Sequence, residues 1–298
     1  MKLFLSGDLG SKDGERTLAP LIHNRLLSYY YNVTKSNEPD EVLLSCKPRK
    51  QGVLLDSGAY SAFNIGAKID VQRFGAFCVK YAGMFDLIAS LDVIGDATAS
   101  DKNYQILHDV GATKVFPTFH YGEPFSFLEK MKKASKVIGI GGVAQLGGGR
   151  KLITFMDECW RRLSDAKGKP THDVHGFAVG SGYLIQRYPW YSVDTASWVV
   201  APVWGHTPVL RGGIIQNITV TKIGAIRQKL GGSHYDVMPK DAQKWFRDYI
   251  AQVGLTLEDV QDGTAVGTLN RQRVSVYSYQ LLEKTVATKM QSHQMTLE

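Results

Sequence analysis

Gly52-Val53-Leu54-Leu55-Asp56-Ser57-Gly58-Ala59-Tyr60-Ser61 is a short apolar run that stops on a carboxylate and passes into a small, glycine-bearing turn. It reads as a strand with Asp56 at its carboxyl end. The construction recurs in Ile88-Ala89-Ser90-Leu91-Asp92-Val93-Ile94-Gly95-Asp96 and in Ser192-Val193-Asp194-Thr195-Ala196-Ser197-Trp198. The carboxyl ends of strands are where a barrel of alternating strands and helices collects its catalytic groups. Asp56, Asp92 and Asp194 are therefore expected to share one pocket.

On either side of these motifs, β-prone apolar runs alternate with longer segments of helical periodicity up to about residue 220, the pattern of repeated βα units around a parallel sheet. Strands are expected at 2–6, 52–56, 86–92, 114–119, 136–141, 173–179, 191–194 and 213–220. Amphipathic helices are expected at 17–31, 71–81, 102–110, 125–134 and 150–166, where apolar residues recur three and four apart. The stripe Leu152, Phe155, Met156, Cys159 and Leu163 is assigned to packing on the sheet. Eight strand candidates favour a closed α/β barrel of the (β/α)8 TIM type; an open doubly wound sheet would show the same alternation. Beyond residue 221 the alternation stops, and helical pieces at 221–229, 240–253 and 277–290 suggest an extension. The expected division is a barrel over residues 1–220 and a C-terminal helical extension over 221–298.

The chain has 298 residues, 44% of them hydrophobic, with 35 Lys and Arg against 28 Asp and Glu for a net charge of +7. That is enough apolar material for a sizeable core, and the charge favours polyanionic partners. Cys46, Cys78 and Cys159 show no CxxC or CxC spacing, so neither a disulfide framework nor a cysteine zinc site is indicated, and no metal is expected. The apolar run at 3–5 is too short for a signal peptide and no stretch approaches a membrane span. The expectation is a cytoplasmic protein with no membrane partner.

A strand-end carboxylate can act as nucleophile, general base or hydrogen-bond acceptor, and two of them beside an anomeric carbon equip a site for glycosyl transfer with retention. Asp70 and Asp96, each just before a helix, read instead as caps. Two glycine clusters, Gly139-Ile140-Gly141-Gly142 and Gly147-Gly148-Gly149-Arg150, would let backbone amides approach a planar base or a phosphate. Neither has Walker A or dinucleotide-fold spacing.

These motifs together resemble the tRNA-guanine transglycosylase superfamily, whose barrels exchange a guanine in nucleic acid for a 7-deazaguanine. The family's Asp-Ser-Gly-Gly/Ala-Phe-Gln is similar to Asp56-Ser57-Gly58-Ala59-Tyr60-Ser61. The resemblance gives Asp56 acid/base work, with Ser57 and Gly58 beside the base. Ala89-Ser90-Leu91-Asp92 stands where the family's acid recognises the polar edge of guanine, and Ile140-Gly141-Gly142-Val143-Ala144 where backbone contacts the base. Gly176-Phe177-Ala178-Val179-Gly180 followed by Ser192-Val193-Asp194 resembles the segment carrying the nucleophile, which makes Asp194 the nucleophile by resemblance. The likeness spans roughly residues 50–200.

The departures matter as well. The tRNA enzymes carry a CxCxxC…His zinc element after the nucleophile, whereas residues 199–298 contain no cysteine. Their Val-Gln-Gly-Gly is replaced by Thr118-Phe119-His120-Tyr121-Gly122, which leaves His120 or Gln145 to take the glutamine's part. A zinc-less chain of this kind looks most like the DpdA-type enzymes of phages and bacteria, which place 7-deazaguanines into DNA. The implied function is retaining base exchange on DNA, with no cofactor, a free 7-deazaguanine as co-substrate, and helper proteins that open the duplex as possible partners. If the chain is phage-encoded, its location would be the host cytoplasm. The same exchange on tRNA, a non-catalytic barrel binding nucleic acid or a deazapurine, and an enzyme of a phosphorylated metabolite remain open.

A base taken out of a duplex is usually stacked by aromatic or apolar side chains, and Tyr60, Phe119 and Trp198 lie beside the motifs as candidates. Phosphates would be met by Lys47, Arg49 and Lys50, or by Arg271 and Arg273 in the C-terminal stretch.

Overall fold

The computed structural model describes residues 1–143, 149–221 and 234–295, with the side chains of the last helix through residue 287. Gln145, Gly147, Gly148 and all but the first residue of the helix expected at 221–229 lie outside the described residues.

Among the described residues nine strands run parallel: β1 (Lys2–Leu5), β2 (Asn24–Ser28), β3 (Gly52–Asp56), β4 (Leu87–Ala89), β5 (Val115–Phe116), β6 (Thr118–His120), β7 (Val137–Gly141), β8 (Asp173–Gly176) and β9 (Ser192–Thr195). Their spatial order is β5-β4-β3-β2-β1-β9-β8-β7-β6. The two ends of that order, β5 and β6, are separated in the chain only by Pro117, so the sheet curls into a nearly closed barrel. Proline has no N–H to give to a ladder, and the expected strand at 114–119 divides there, one piece pairing with β4 and the other with β7.

Around the barrel lie α1 (Lys12–Leu18), α2 (Tyr29–Asn32), α3 (Glu41–Cys46), α4 (Ala59–Asn64), α5 (Val71–Lys80), α6 (Ala97–Asp109), α7 (Phe125–Ala134), α8 (Arg150–Leu163), α9 (Gly182–Arg187) and α10 (Ser197–Val203). Asp70 and Asp96 cap α5 and α6, accepting from the N–H groups of Arg73 and Ala99 at 2.9 Å. Each strand turns alternate residues inward and outward. Inward, Phe4, Leu54, Leu87, Ala89 and Phe116 fill the barrel. Outward, Leu3, Leu5, Ile138, Ile140, Val174 and Val193 meet the helical shell, to which α8 gives the expected stripe from Leu152 to Leu163.

Two of the expected elements take another form. Residues 24–28 form β2, not the second half of a helix at 17–31. Their backbone completes parallel ladders with β1 and β3, and Arg25, buried on the outer face, makes a two-pronged ion pair with Glu15 of α1 at 2.8 and 3.1 Å. Tertiary pairing outweighs the local helical period. The segment expected as an eighth barrel strand is β11 (Ile214–Thr219), and it pairs antiparallel with β10 (His206–Arg211) in a separate hairpin. Gly212 and Gly213 both have positive φ, as a tight two-residue hairpin turn requires.

The hairpin packs through Val209 and Ile218 against α11 (Lys240–Ala251), α12 (Leu257–Gln261) and the first part of α13 (Ala265–Met295). Further along, α13 lays Val276, Tyr279, Leu282 and Val286 on the barrel's outer core. Arg271 of α13, expected to meet phosphate, is 2% exposed. Its guanidinium donates to the carbonyls of Pro202, Val260 and Asp262 at 2.7–3.0 Å. These lie at or just past the C-terminal ends of α10 and α12, where carbonyls lack helical partners. Arg271 is a structural clamp. Arg273 is half-buried and donates to the Val253 carbonyl. No helix among the described residues is long and apolar enough to cross a membrane.

Arg271→Met strands three carbonyls, so urea unfolding is expected to show a loss of about 3 kcal/mol or more. Lys47→Ala, on the exposed surface, is expected to cost less than about 0.5 kcal/mol. Equal effects would show that Arg271 is not holding the two helix ends.

Candidate active site

The carboxyl ends of the strands place the three acids together. Asp56 is the last residue of β3, Asp92 follows β4, and Asp194 lies in β9 in register with Phe4 of β1. All three are on the barrel's inner side or its rim and sense one another: the Asp194 charge pushes Asp56 upward, and Asp56 does the same to Asp92.

Their settings differ. Burial raises the Asp56 carboxyl to about 6, against the pull of the Gly58 and Ser57 N–H groups; the Gly58 bond to Oδ2 is 2.9 Å. Gly58 itself has a left-handed φ of +80°, and a Cβ there would stand 2.4 Å from Ser28 Oγ. Burial raises Asp92 further, to about 7, although His120 works in the opposite direction. His120 at the end of β6 stands between two acids, with Nε2 3.4 Å from Asp92 Oδ2 and Nδ1 3.4 Å from Glu123 Oε1. Burial disfavours its imidazolium, but the Glu123 hydrogen bond and the charges of Asp92 and Glu123 prevail, and His120 titrates above its ordinary value. The ring lies over Gly141, where a Cβ would come 2.8 Å from it.

Asp194 is 6% exposed, and one of its oxygens carries the contacts. Oδ1 accepts the Ala178 N–H at 2.9 Å and lies 3.5 Å from Nε2 of His175. His175 is wholly buried among Phe4, Phe116 and Phe177, and its Nδ1 meets Ser192 Oγ at 2.8 Å. If Ser192 donates to Nδ1, the ring proton sits on Nε2 and points to Asp194. Ala178 adopts a left-handed φ of 56° to present its N–H, a conformation that costs a non-glycine residue about 1 kcal/mol. The hydrogen bond and the close imidazole are both on Oδ1, and Oδ2 has no such contact among the described residues.

Ser57, Gly58, Gly141 and Gly142 line the same rim. Tyr60, in the first turn of α4, is 59% exposed and available to a planar ligand. Phe119 and Trp198 are not, and that expectation is corrected. Phe119 alternates with Thr118 and His120, so it points outward against Phe125 and Phe155. Trp198 is fully buried and its Nε1 donates to the Ser6 carbonyl at 2.7 Å. Lys47, Arg49 and Lys50 are exposed just before β3 begins, at the end of the barrel opposite the acids. No group of three or more His, Cys, Asp or Glu among the described residues is placed to hold a metal ion.

The sequence reading passed over His175, Glu123 and Ala178. A histidine inside the apolar strand before Gly176 was a usable signal for the first, and an acid three residues after His120 for the second. Nothing local marks Ala178, because its conformation is imposed by the turn.

No family model matches the chain, and no curated protein matches it.

A carboxyl raised on folding costs stability above its folded value and nothing below its unfolded one. Asp92 titrates at about 7 here and near 3.9 in an unfolded chain. Asp92→Asn is therefore expected to stabilise the protein at pH 8 by on the order of 2–4 kcal/mol. The gain should shrink as pH falls through 7 and vanish below about pH 4. Thermal unfolding at pH 8, 6 and 4 reads this, and a pH-independent difference would contradict it.

Proposed function

We propose that this protein is a base-exchange glycosyltransferase that replaces guanine in DNA with a 7-deazaguanine through a covalent aspartyl-glycosyl intermediate. The observation that carries the reading is the division of labour among the strand-end acids. Asp194 is held by one oxygen, Asp56 is raised to about 6, where a carboxyl exchanges protons, and Asp92 stands beside His120 at the base edge. Counting β5 and β6 as one position interrupted by Pro117 gives the eight positions of a (β/α)8 barrel, with the hairpin and α11 to α13 as its C-terminal extension.

In this mechanism Asp92 accepts from the ring N–H and exocyclic amine of the extruded guanine, His120 steadies its Oδ2, and the backbone at Gly141 and Gly142 receives the base face. Asp194 Oδ2 attacks C1′, the C1′–N9 bond breaks, and guanine departs with a proton from Asp56. The incoming 7-deazaguanine returns a proton from its N9 to Asp56 and displaces the aspartyl ester. Two inversions give retention. One N-glycosidic bond replaces another, so the exchange consumes nothing besides the incoming base.

DNA is preferred to tRNA because residues 199–298 offer no cysteines for the zinc element of the tRNA enzymes. Unstacking the target costs a few kcal/mol, a cost that a duplex-opening partner would lower. The substrate suits a cytoplasmic location. A non-catalytic binding barrel is disfavoured because an inert cleft gains nothing from carboxyls this strongly perturbed.

The test is incubation with guanine-labelled duplex DNA, single-stranded DNA and tRNA plus 7-cyano-7-deazaguanine, with product nucleosides read by mass spectrometry. Exchange in DNA that falls at least a thousandfold in Asp194→Asn is expected, on the scale of losing a covalent nucleophile. Exchange confined to tRNA would reverse the substrate, and none on any substrate would overturn the enzyme reading. Ester formation also needs protonated Asp56. In single turnover without incoming base, its rate is therefore expected to fall as pH rises through about 6; a rate rising over that range would assign Asp56 the opposite role.

A further inference from the structure

Beside the barrel mouth, between the turn after β6 and the first two turns of α8, runs a groove of about 580 Å3. Its walls are Tyr121, Phe125 and Phe155, with Arg150, Lys151 and Thr154 along the α8 side. Tyr121 is 41% exposed and braced edge-on by Phe155 at 5.3 Å, so its ring is both available and fixed. Lys151, Thr154 and Phe155 recur at helical spacing and share one face of α8. The groove also borders Glu123, the acid that holds His120, and is thereby joined to the end of the site where Asp92 sits.

Charge decides what fits. Glu123 is engaged by His120, and Glu158 is engaged by Arg161 and Arg162 at 2.7 Å. Arg150 and Lys151 are exposed and have no carboxylate partner among the described residues. The groove thus offers two unpaired cations beside an exposed aromatic ring, the pairing that single-stranded nucleic acids use for phosphate and base. Elsewhere Arg271 is buried, Arg273 is half-buried, and Lys47, Arg49 and Lys50 lie at the far end of the barrel.

We propose that this groove is the subsite for the nucleotide adjoining the exchanged guanine, with its base on Tyr121 and its phosphate between Arg150 and Lys151. The proposal rests on the base-exchange reading for the identity of the neighbouring site, but the groove's own chemistry can be tested without turnover. A fluorescein-labelled DNA pentanucleotide with a central guanine is titrated into the full chain and into Tyr121→Ala, Tyr121→Phe and Arg150→Ala/Lys151→Ala variants across a salt series. Exchange is measured in parallel, as is binding of free 7-cyano-7-deazaguanine.

Tyr121→Ala is expected to weaken pentanucleotide binding roughly tenfold, with Tyr121→Phe restoring most of it, as loss of one base stack implies. The double charge variant should lower the slope of log K against log salt by about 0.7, the contribution of one phosphate contact on a single strand. Free-base binding should be unchanged in all of them. Variants that bind the pentanucleotide with wild-type affinity and slope would overturn the subsite, as would a wild-type protein that does not bind it. If the wild type exchanges base while these variants behave normally, the subsite fails and the enzyme reading stands. If pentanucleotide binding depends on these residues and no exchange occurs, the reverse holds.

Discussion

The structure depends on how it tolerates carboxylates gathered in a low-dielectric barrel mouth. An isolated buried carboxylate would shed its charge by taking up a proton. Here each acid receives a different remedy. Asp194 takes a backbone N–H on one oxygen with a buried histidine 3.5 Å away, Asp56 takes amides from its own turn, and Asp92 stands beside an imidazole whose pKa Glu123 helps to raise. Because the remedies are unequal, the protonation behaviour is unequal, and chemically identical side chains acquire separate roles.

The supporting layers exist to hold those remedies in place. His175 stays next to Asp194 because three phenylalanines enclose it and Ser192 fixes one nitrogen. Ala178, in the turn between β8 and α9, combines a left-handed backbone with the N–H bond to Asp194. Strain and buried polarity of this sort work against stability and are retained where geometry is required. The outer shell and the clamp of Arg271 on the ends of α10 and α12 supply compensating order far from the mouth.

The parts most legible in the sequence were those where local pattern and tertiary role agree. The run 52–56 is a strand with the limits expected, the α8 stripe packs as its period demands, and Asp70 and Asp96 cap their helices. The illegible parts were those where a partner elsewhere in the chain decides. Residues 24–28 hold a polar, arginine-bearing strand that only two neighbouring ladders and Glu15 make sense of. Residues 214–219 look like another barrel strand until β10 claims them in a hairpin. Phe119 and Trp198 read as site aromatics because their neighbours in sequence are site residues, yet the alternation of a strand and a buried indole bond turn them away.

Alternating strands and helices, and the placing of Asp56, Asp92 and Asp194 at strand ends, follow from local pattern, because periodicity and chain breaks are local properties. Which oxygen of Asp194 takes the backbone bond, the entry of His175 and Glu123 into the site, the different degrees to which Asp56 and Asp92 are raised, and which basic residues border the mouth arise only in the folded chain. Those depend on distances between segments far apart in the chain and on how much water each group loses, and neither is encoded in any one stretch.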